Sequence, residues 1–137
     1  MRVLLDTHIF LWYIAGDARV AGHIRRVIED SDAAYLSVAS LWEATIKYDL
    51  GKLPLPEAPH PWLSLQRERH GIDSLPVDEA SVAHLSALPR HHRDPFDRLL
   101  ICQAIEHDLD LVTADPFLSR YPVRVLGYDP PRYDPHD

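Results

Sequence analysis

The sequence predicts an α/β domain built on a parallel sheet with helices on both faces. Three observations carry this. First, apolar character comes in short continuous runs, at residues 3 to 5 (VLL), 34 to 38 (AYLSV), 111 to 113 (LVT) and 123 to 126 (VRVL). None shows the long polar/apolar alternation of a half-exposed strand, so they suit strands covered on both sides. Second, longer segments with helical signals lie between these runs. Third, the two kinds of segment alternate along the chain, the pattern of βα units.

The elements follow in order. VLL is the first strand, and residues 8 to 15 (HIFLWYIA) form a helix that stops at Gly16, a residue suited to a helix C-terminus. Residues 20 to 30 carry Val20, Ile24, Val27 and Ile28 on one stripe of a second helix. After AYLSV, residues 40 to 50 form a helix ending at Gly51, and residues 60 to 70 and 78 to 88 form two more. IDSLPV at 72 to 77 is a weaker strand between those two. Residues 95 to 107 are the best marked helix: Asp94 stands at the N-cap, Pro95 at the first helical position and Asp97 in the first turn. LVT, a short helix over 116 to 120 and VRVL complete the order. With no linker, residues 1 to 128 read as one domain and 129 to 137 as a polar, proline-rich tail.

Bulk properties narrow the function. A chain of 137 residues can bury a core without staples. Its one cysteine, Cys102, lies in an apolar helical run and reads as a small core residue in a reducing compartment. No apolar run approaches the ~20 residues that span a bilayer, and Asp6 interrupts any leader-peptide core, so a cytoplasmic protein without a membrane partner is expected. The net charge of −7 excludes a broadly basic nucleic-acid binder. Contact with nucleic acid needs a local basic patch or a metal ion. Arg90, His91, His92, Arg93 and Arg98 make the one local basic cluster, either a guide for phosphates or a solvated loop.

Acids follow the strands. VLL runs into Asp6-Thr7, AYLSV into Ser40-Leu41-Trp42-Glu43, and LVT into Ala114-Asp115-Pro116, while Asp97 heads the helix of RDPFDR. In an open parallel sheet the strand ends and the following helix starts share one edge, where ligands bind. Asp6, Glu43, Asp97 and Asp115 should therefore converge there, with the hydroxyls of Thr7, Ser37, Ser40 and Thr113 nearby. Each acid also has a plain structural reading. Ser40-x-x-Glu43 fits a capping box, Asp94 and Asp115 fit N-caps, and Glu43 can pair with Lys47 one turn on. Helical facing favours a site: Asp97 shares a face with Leu100, Ile101 and Ala104, and Glu43 one with Ala39 and Ile46, so both point inward. Clustered carboxylates repel unless protons or a cation neutralise them. Hard oxygen donors suit Mg²⁺ or Mn²⁺.

LLDTHIFLW, LSVASLWEATIKYDLGKL, RDPFDRLLICQA and LVTADPFLSRYPV, in that order, resemble the PIN-domain family, and within it the VapC-like ribonuclease toxins of bacterial type II toxin–antitoxin pairs. The resemblance spans almost the whole chain. It implies a three-layer α/β/α sandwich with a central parallel sheet. It implies an endoribonuclease dependent on Mg²⁺ or Mn²⁺, with Asp6, Glu43, Asp97 and, less firmly, Asp115 as metal-binding catalytic acids. Asp94 fits the motif but suits capping. A VapB-like antitoxin that blocks the site and a homodimer are implied as partners, with RNA as the substrate. Thr7, Thr113, Arg93 and Arg98 are the candidates for substrate contact.

Other readings stay open beside this one. A catalytically inactive module of the same fold would bind RNA or protein only, and a nuclease of the same fold could act on DNA. A receiver domain needs a lysine after a late strand, yet none follows Lys52. A haloacid-dehalogenase-type phosphatase needs Asp-x-Asp where this chain has Asp6-Thr7-His8. Trp12, Tyr13, Trp42 and Trp62 lie in apolar helical stretches and are expected in core or interface. The segment KYDLGKLPLPEAPHPW mixes apolar residues with prolines and is a candidate groove for an antitoxin helix or a dimer contact.

Overall fold

The computed structural model describes residues 1–89 and 94–127. The cluster at 90 to 93, Arg93 included, and the tail at 129 to 137 lie outside the described residues. The chain runs β1 (Arg2–Leu5), α1 (Thr7–Ile14), α2 (Gly22–Asp30), β2 (Ala33–Ser37), α3 (Val38–Asp49), α4 (Pro59–Arg69), β3 (Asp73–Leu75), α5 (Glu79–Ala83), α6 (Pro95–His107), β4 (Asp110–Val112) and β5 (Val125–Leu126). Short 3-10 turns follow α5 at His84–Ala87 and β4 at Pro116–Arg120.

The five strands form one sheet in the order β3-β2-β1-β4-β5, and every pairing is parallel. Successive side chains of a strand point to opposite faces, and here both faces are covered. Val3 and Leu5 of β1 join Ile9 and Phe10 of α1, Ile24 and Ile28 of α2 and Leu63 of α4 in one core. Leu4, between them, packs with Leu111 of β4 and with Leu100, Ile101 and Cys102 of α6 in a second core. That is a three-layer α/β/α sandwich. The apolar runs of β1 and β4 are continuous because neither face of these central strands meets water.

The chain leaves β1 toward β2 and β3, then returns to place β4 on the other side of β1. The strand order therefore reverses between β1 and β4, and the crevice beyond their carboxyl ends is the place where open α/β sheets bind ligands. Among the described residues, no helix is long and apolar enough to cross a membrane.

Two details depart from the sequence reading. The helix expected over 78 to 88 is α5 followed by a 3-10 turn, which stops at Leu88 with φ −72° and ψ 139°. Leu88 precedes Pro89, and the proline ring pushes its predecessor out of the helical region. The Ser40–Glu43 capping box does not form. β2 turns directly into α3, so the helix starts at Val38 and Ser37 is its N-cap, accepting from the Ala39 amide at 3.0 Å. Ser40 stands inside the helix with its hydroxyl free for another task.

Candidate active site

Asp6 is the residue after β1, and its amide donates to the Val112 carbonyl of β4 at 2.9 Å, so the sheet ladder itself fixes its position. It occupies the N-cap position of α1, yet its side chain caps nothing. Its carboxylate instead accepts the Thr113 hydroxyl at Oδ2, 2.7 Å away, and only 8% of the residue is exposed. Thr113 in turn accepts the Asp115 amide at 3.1 Å. The turn after β4 is thereby tied to the end of β1. Burial, and to a lesser degree the Glu43 charge, raises the Asp6 pKa, while the Thr113 hydroxyl, His8 and the Thr7 amide oppose the rise.

Glu43 reaches the same edge from inside α3. It is 3% exposed, and both of its oxygens are engaged: Thr7 Oγ1 stands 2.6 Å from Oε1 and Lys47 Nζ 2.7 Å from Oε2. Thr7 Oγ1 also lies 2.9 Å from Ser40 Oγ. A hydroxyl has one proton to give. The shorter, charge-assisted bond takes it, leaving Ser40 to donate its own proton to Thr7. Burial works against the Lys47 ammonium. The hydrogen bond to Glu43 and the charges of Glu43, Asp94 and Asp97 outweigh it, so its pKa is raised.

Asp97 heads α6. Asp94, one turn earlier, is the N-cap and accepts the amides of Phe96 and Asp97 at 2.8 and 3.3 Å. Pro95 fits the first turn because no amide is needed there. Asp97 is half-buried, and its pKa is pushed up to about 8. Burial is the main cause, followed by the negative charges of Asp6, Asp94, Glu43 and Asp115. The four acids named from the sequence thus share one electrostatic environment at the reversal point of the sheet. Asp115 also caps the 3-10 turn that follows it, accepting the Phe117 amide at 3.0 Å, as its structural reading expected.

The donor set fits a hard divalent cation. It is all carboxylate oxygen, it holds more negative charge than the burial tolerates, and an ammonium already stands against one member. Among the described residues, no three His, Cys, Asp or Glu side chains close on one point as a rigid metal cage does. Mg²⁺ does not need such a cage: it keeps several waters and binds through one or two carboxylates.

Other expectations fall differently. Arg98 does not face the acids with its guanidinium; it donates to the carbonyls of Pro89 and Leu85 at 3.0 and 3.2 Å, tying α6 to the preceding turn. Trp42 is not core. It is 61% exposed, with its ring edge-to-face against Phe96 at 5.1 Å. The hydroxyls of Thr7 and Thr113 turn to Glu43 and Asp6. The sequence marks Lys47 only as a helix-pair partner of Glu43. Its i,i+4 spacing was the signal, but its reach toward Asp94 and Asp97 depends on how α6 packs against α3.

The PIN domain family matches the chain over residues 3–123. The chain belongs to the PIN-domain family. It is 30% identical over 114 residues to Ribonuclease VapC22 of Mycobacterium tuberculosis, covering 82% of this chain and 86% of that protein. It is 39% identical over 75 residues to Ribonuclease VapC16 of the same organism, a match over 54% of this chain and about half, 52%, of that protein's length. Among solved structures, VapBC2 from Rickettsia felis, bound to a DNA fragment from its promoter, superposes with a TM-score of 0.71 at 17% identity, over 94% of this chain and 100% of that one.

This PIN domain also carries a mostly apolar cavity of about 530 Å³, whose lining includes none of the four acids. Leu11, Trp12 and Ile14 of α1 form one wall, and Leu53, Leu55 and Trp62 of the proline-rich segment form the other. His8, two residues from Asp6, stands at its rim.

Proposed function

We propose that the chain is a divalent-metal-dependent endoribonuclease that hydrolyses RNA phosphodiester bonds, and that it is the toxin of a toxin–antitoxin pair acting in the cytoplasm. One observation carries the reading: Asp97 is driven to about 8 by burial and by Asp6, Asp94, Glu43 and Asp115, at the reversal point of a parallel sheet. Acids placed for capping alone gain nothing from such crowding. The names of two relatives, both ribonucleases, support the substrate class.

Asp6, Glu43, Asp97 and Asp115 are the residues that would hold the cation. When bound, Mg²⁺ or Mn²⁺ supplies an activated, positioned water and charge stabilisation for in-line attack on phosphorus. The chain's own groups do the rest. Thr113 donates to Asp6 Oδ2 and Thr7 to Glu43 Oε1, which orients both carboxylates. The Asp6 position is rigid because its amide is part of the sheet ladder. With no broad basic surface, the cation is the main attraction for the phosphate backbone.

The apolar groove between α1 and residues 53 to 62 is the surface we assign to a VapB-like antitoxin. The solved VapBC structures of similar fold support such a partner. An amphipathic helix laid there would pass the His8 rim of the acidic site. Leu55→Glu is expected to weaken antitoxin capture and leave RNA cleavage intact; unchanged capture counts against this groove.

The deciding experiment is cleavage of total cellular RNA by the purified chain with Mg²⁺ or Mn²⁺ and with EDTA, beside Asp97→Asn prepared identically. Discrete fragments that need metal and vanish in the variant are expected. Equal activity of the two proteins overturns the site assignment. Cleavage of single-stranded DNA alone makes the chain a DNA-directed nuclease.

A further inference from the structure

Lys47 stands in the site environment, and the ribonuclease reading leaves it without a task. It lies one helical turn beyond Glu43 on α3, with Nζ 2.7 Å from Glu43 Oε2. The Glu43 side chain is 4% exposed, whereas that of Lys47 is 35% exposed. The acid is fixed in the interior and the base reaches it from the surface. The other oxygen, Oε1, is already taken by the Thr7 hydroxyl at 2.6 Å. A cation that approaches Glu43 therefore meets an oxygen occupied by the chain's own ammonium.

The two cations cannot share that oxygen comfortably. A metal at its usual bond length and an ammonium at hydrogen-bond length would stand within about 4 Å of each other, like charges in a partly desolvated site. One of them has to leave, and the geometry says which. Glu43 is locked by Thr7 and by burial, whereas Lys47 is a flexible four-carbon stem already reaching water, and its ammonium regains hydration by a change of rotamer. Without any cation, the opposite problem arises: Glu43 would be a buried, uncompensated charge, which proteins do not tolerate.

We propose that Lys47 is the resident countercation of the metal-free site: it holds Glu43 Oε2 until a divalent ion takes that oxygen, so that ammonium and metal compete for Glu43. The inference rests on the metal-dependent reading above. It makes Lys47 a positioning residue, one that keeps Glu43 aimed at the site before the metal arrives.

Two measurements on the full chain test it. In calorimetry with Mn²⁺, Lys47→Met keeps the apolar stem and removes the charge, and the dissociation constant is expected to fall by about threefold or more, the size of a direct coupling between neighbours. An unchanged or weaker affinity in the folded variant overturns the proposal. The second measurement uses the natural chain and does not depend on a variant folding. Reductive methylation of lysines, read at Lys47 by peptide mass spectrometry, is expected to be slow in EDTA and faster at saturating Mg²⁺, while Lys52 stays constant as an internal reference. Equal Lys47 rates in both conditions mean that the ammonium does not leave Glu43, and the proposal fails. Absence of any Mn²⁺ binding by the natural chain is a different result: it sinks the metal-dependent reading itself and this inference with it.

Discussion

Thr113 donates its hydroxyl proton to Asp6 Oδ2 at 2.7 Å, joining the turn after β4 to the end of β1 across 107 sequence positions. Thr113 is fully buried and Asp6 nearly so. The bond therefore opposes the upward push that burial gives the Asp6 pKa. Thr113→Val replaces the hydroxyl with a methyl of similar size. It leaves the carboxylate without its donor, at a cost of about 1–3 kcal/mol, and moves the Asp6 pKa further up. Urea denaturation and a carboxyl titration by NMR check both parts. An unmoved Asp6 titration would show that Thr113 does not sustain the charge.

Asp97 gives the fold a pH dependence of a definite sign. Its folded pKa of about 8 lies above the ordinary carboxylate value. Between about 4 and 8 the folded state therefore holds a proton that the unfolded chain has released. The stability that this proton provides is complete below the unfolded pKa and is lost as pH rises toward 8. Asp97→Asn keeps the neutral shape and removes the loss. In EDTA the variant should be more stable than the natural chain at pH 8 by on the order of 1–2 kcal/mol, a figure discounted because Asp97 is only half-buried. At pH 4 the two should be alike. Thermal melts across that range decide it, and parallel pH profiles for the two proteins would exclude the shift.

Much of this was legible from single elements. The central strands β1 and β4 were visible because burial on both faces leaves a short, continuous apolar run, whereas β3, exposed at Asp73 and Ser74, left only a weak signal. Asp94-Pro95-Phe96-Asp97 announced a helix start, because an N-cap and a proline at the first position each satisfy a known local need. The convergence of the acids followed from the strand ends of a parallel sheet. What stayed hidden depends on tertiary packing. Trp42 lies in an apolar helical stretch, and of its two expected places, core or interface, packing excludes the core: the ring is exposed, with its contact to Phe96 of α6. Arg98 looked like part of a basic patch, and only the fold of the preceding turn shows its guanidinium bound to two carbonyls. The Ser40 box failed because β2 passes into α3 without a loop, which moves the cap back to Ser37.

That displaced cap can be separated from the hydroxyl network by two single changes. Ser37→Ala removes the acceptor for the Ala39 amide and should cost about 1 kcal/mol, the usual value of a lost N-cap. Its effect should fall on stability alone. Ser40→Ala removes the neighbour of Thr7 Oγ1, leaves the cap intact, and should act through Thr7 on Glu43, so metal affinity weakens. Chemical denaturation beside Mn²⁺ calorimetry distinguishes them. If Ser40→Ala changes neither quantity, Thr7 does not need that partner to hold Glu43.

The last relationship lies behind Thr113. Gly127 follows β5 with φ +109°, a conformation that side chains rarely adopt. A Cβ there would stand 2.8 Å from the Thr113 carbonyl oxygen and 3.0 Å from Val112 Cγ1. The Thr113 amide, meanwhile, donates to Leu126 at 2.8 Å, so β5 and the Thr113 turn are pressed together on the side away from Asp6. Gly127→Ala must open that contact, since the nearest atom is backbone and cannot turn aside. Strain in φ together with the displaced turn should cost about 2–3 kcal/mol. The displacement also moves the hydroxyl that holds Asp6, so the variant should bind Mn²⁺ more weakly while Ser37→Ala, which is also destabilising, does not. A loss of stability with metal affinity preserved would mean that the turn after β4 yields without disturbing Asp6, and that the site is anchored by the β1–β4 ladder alone.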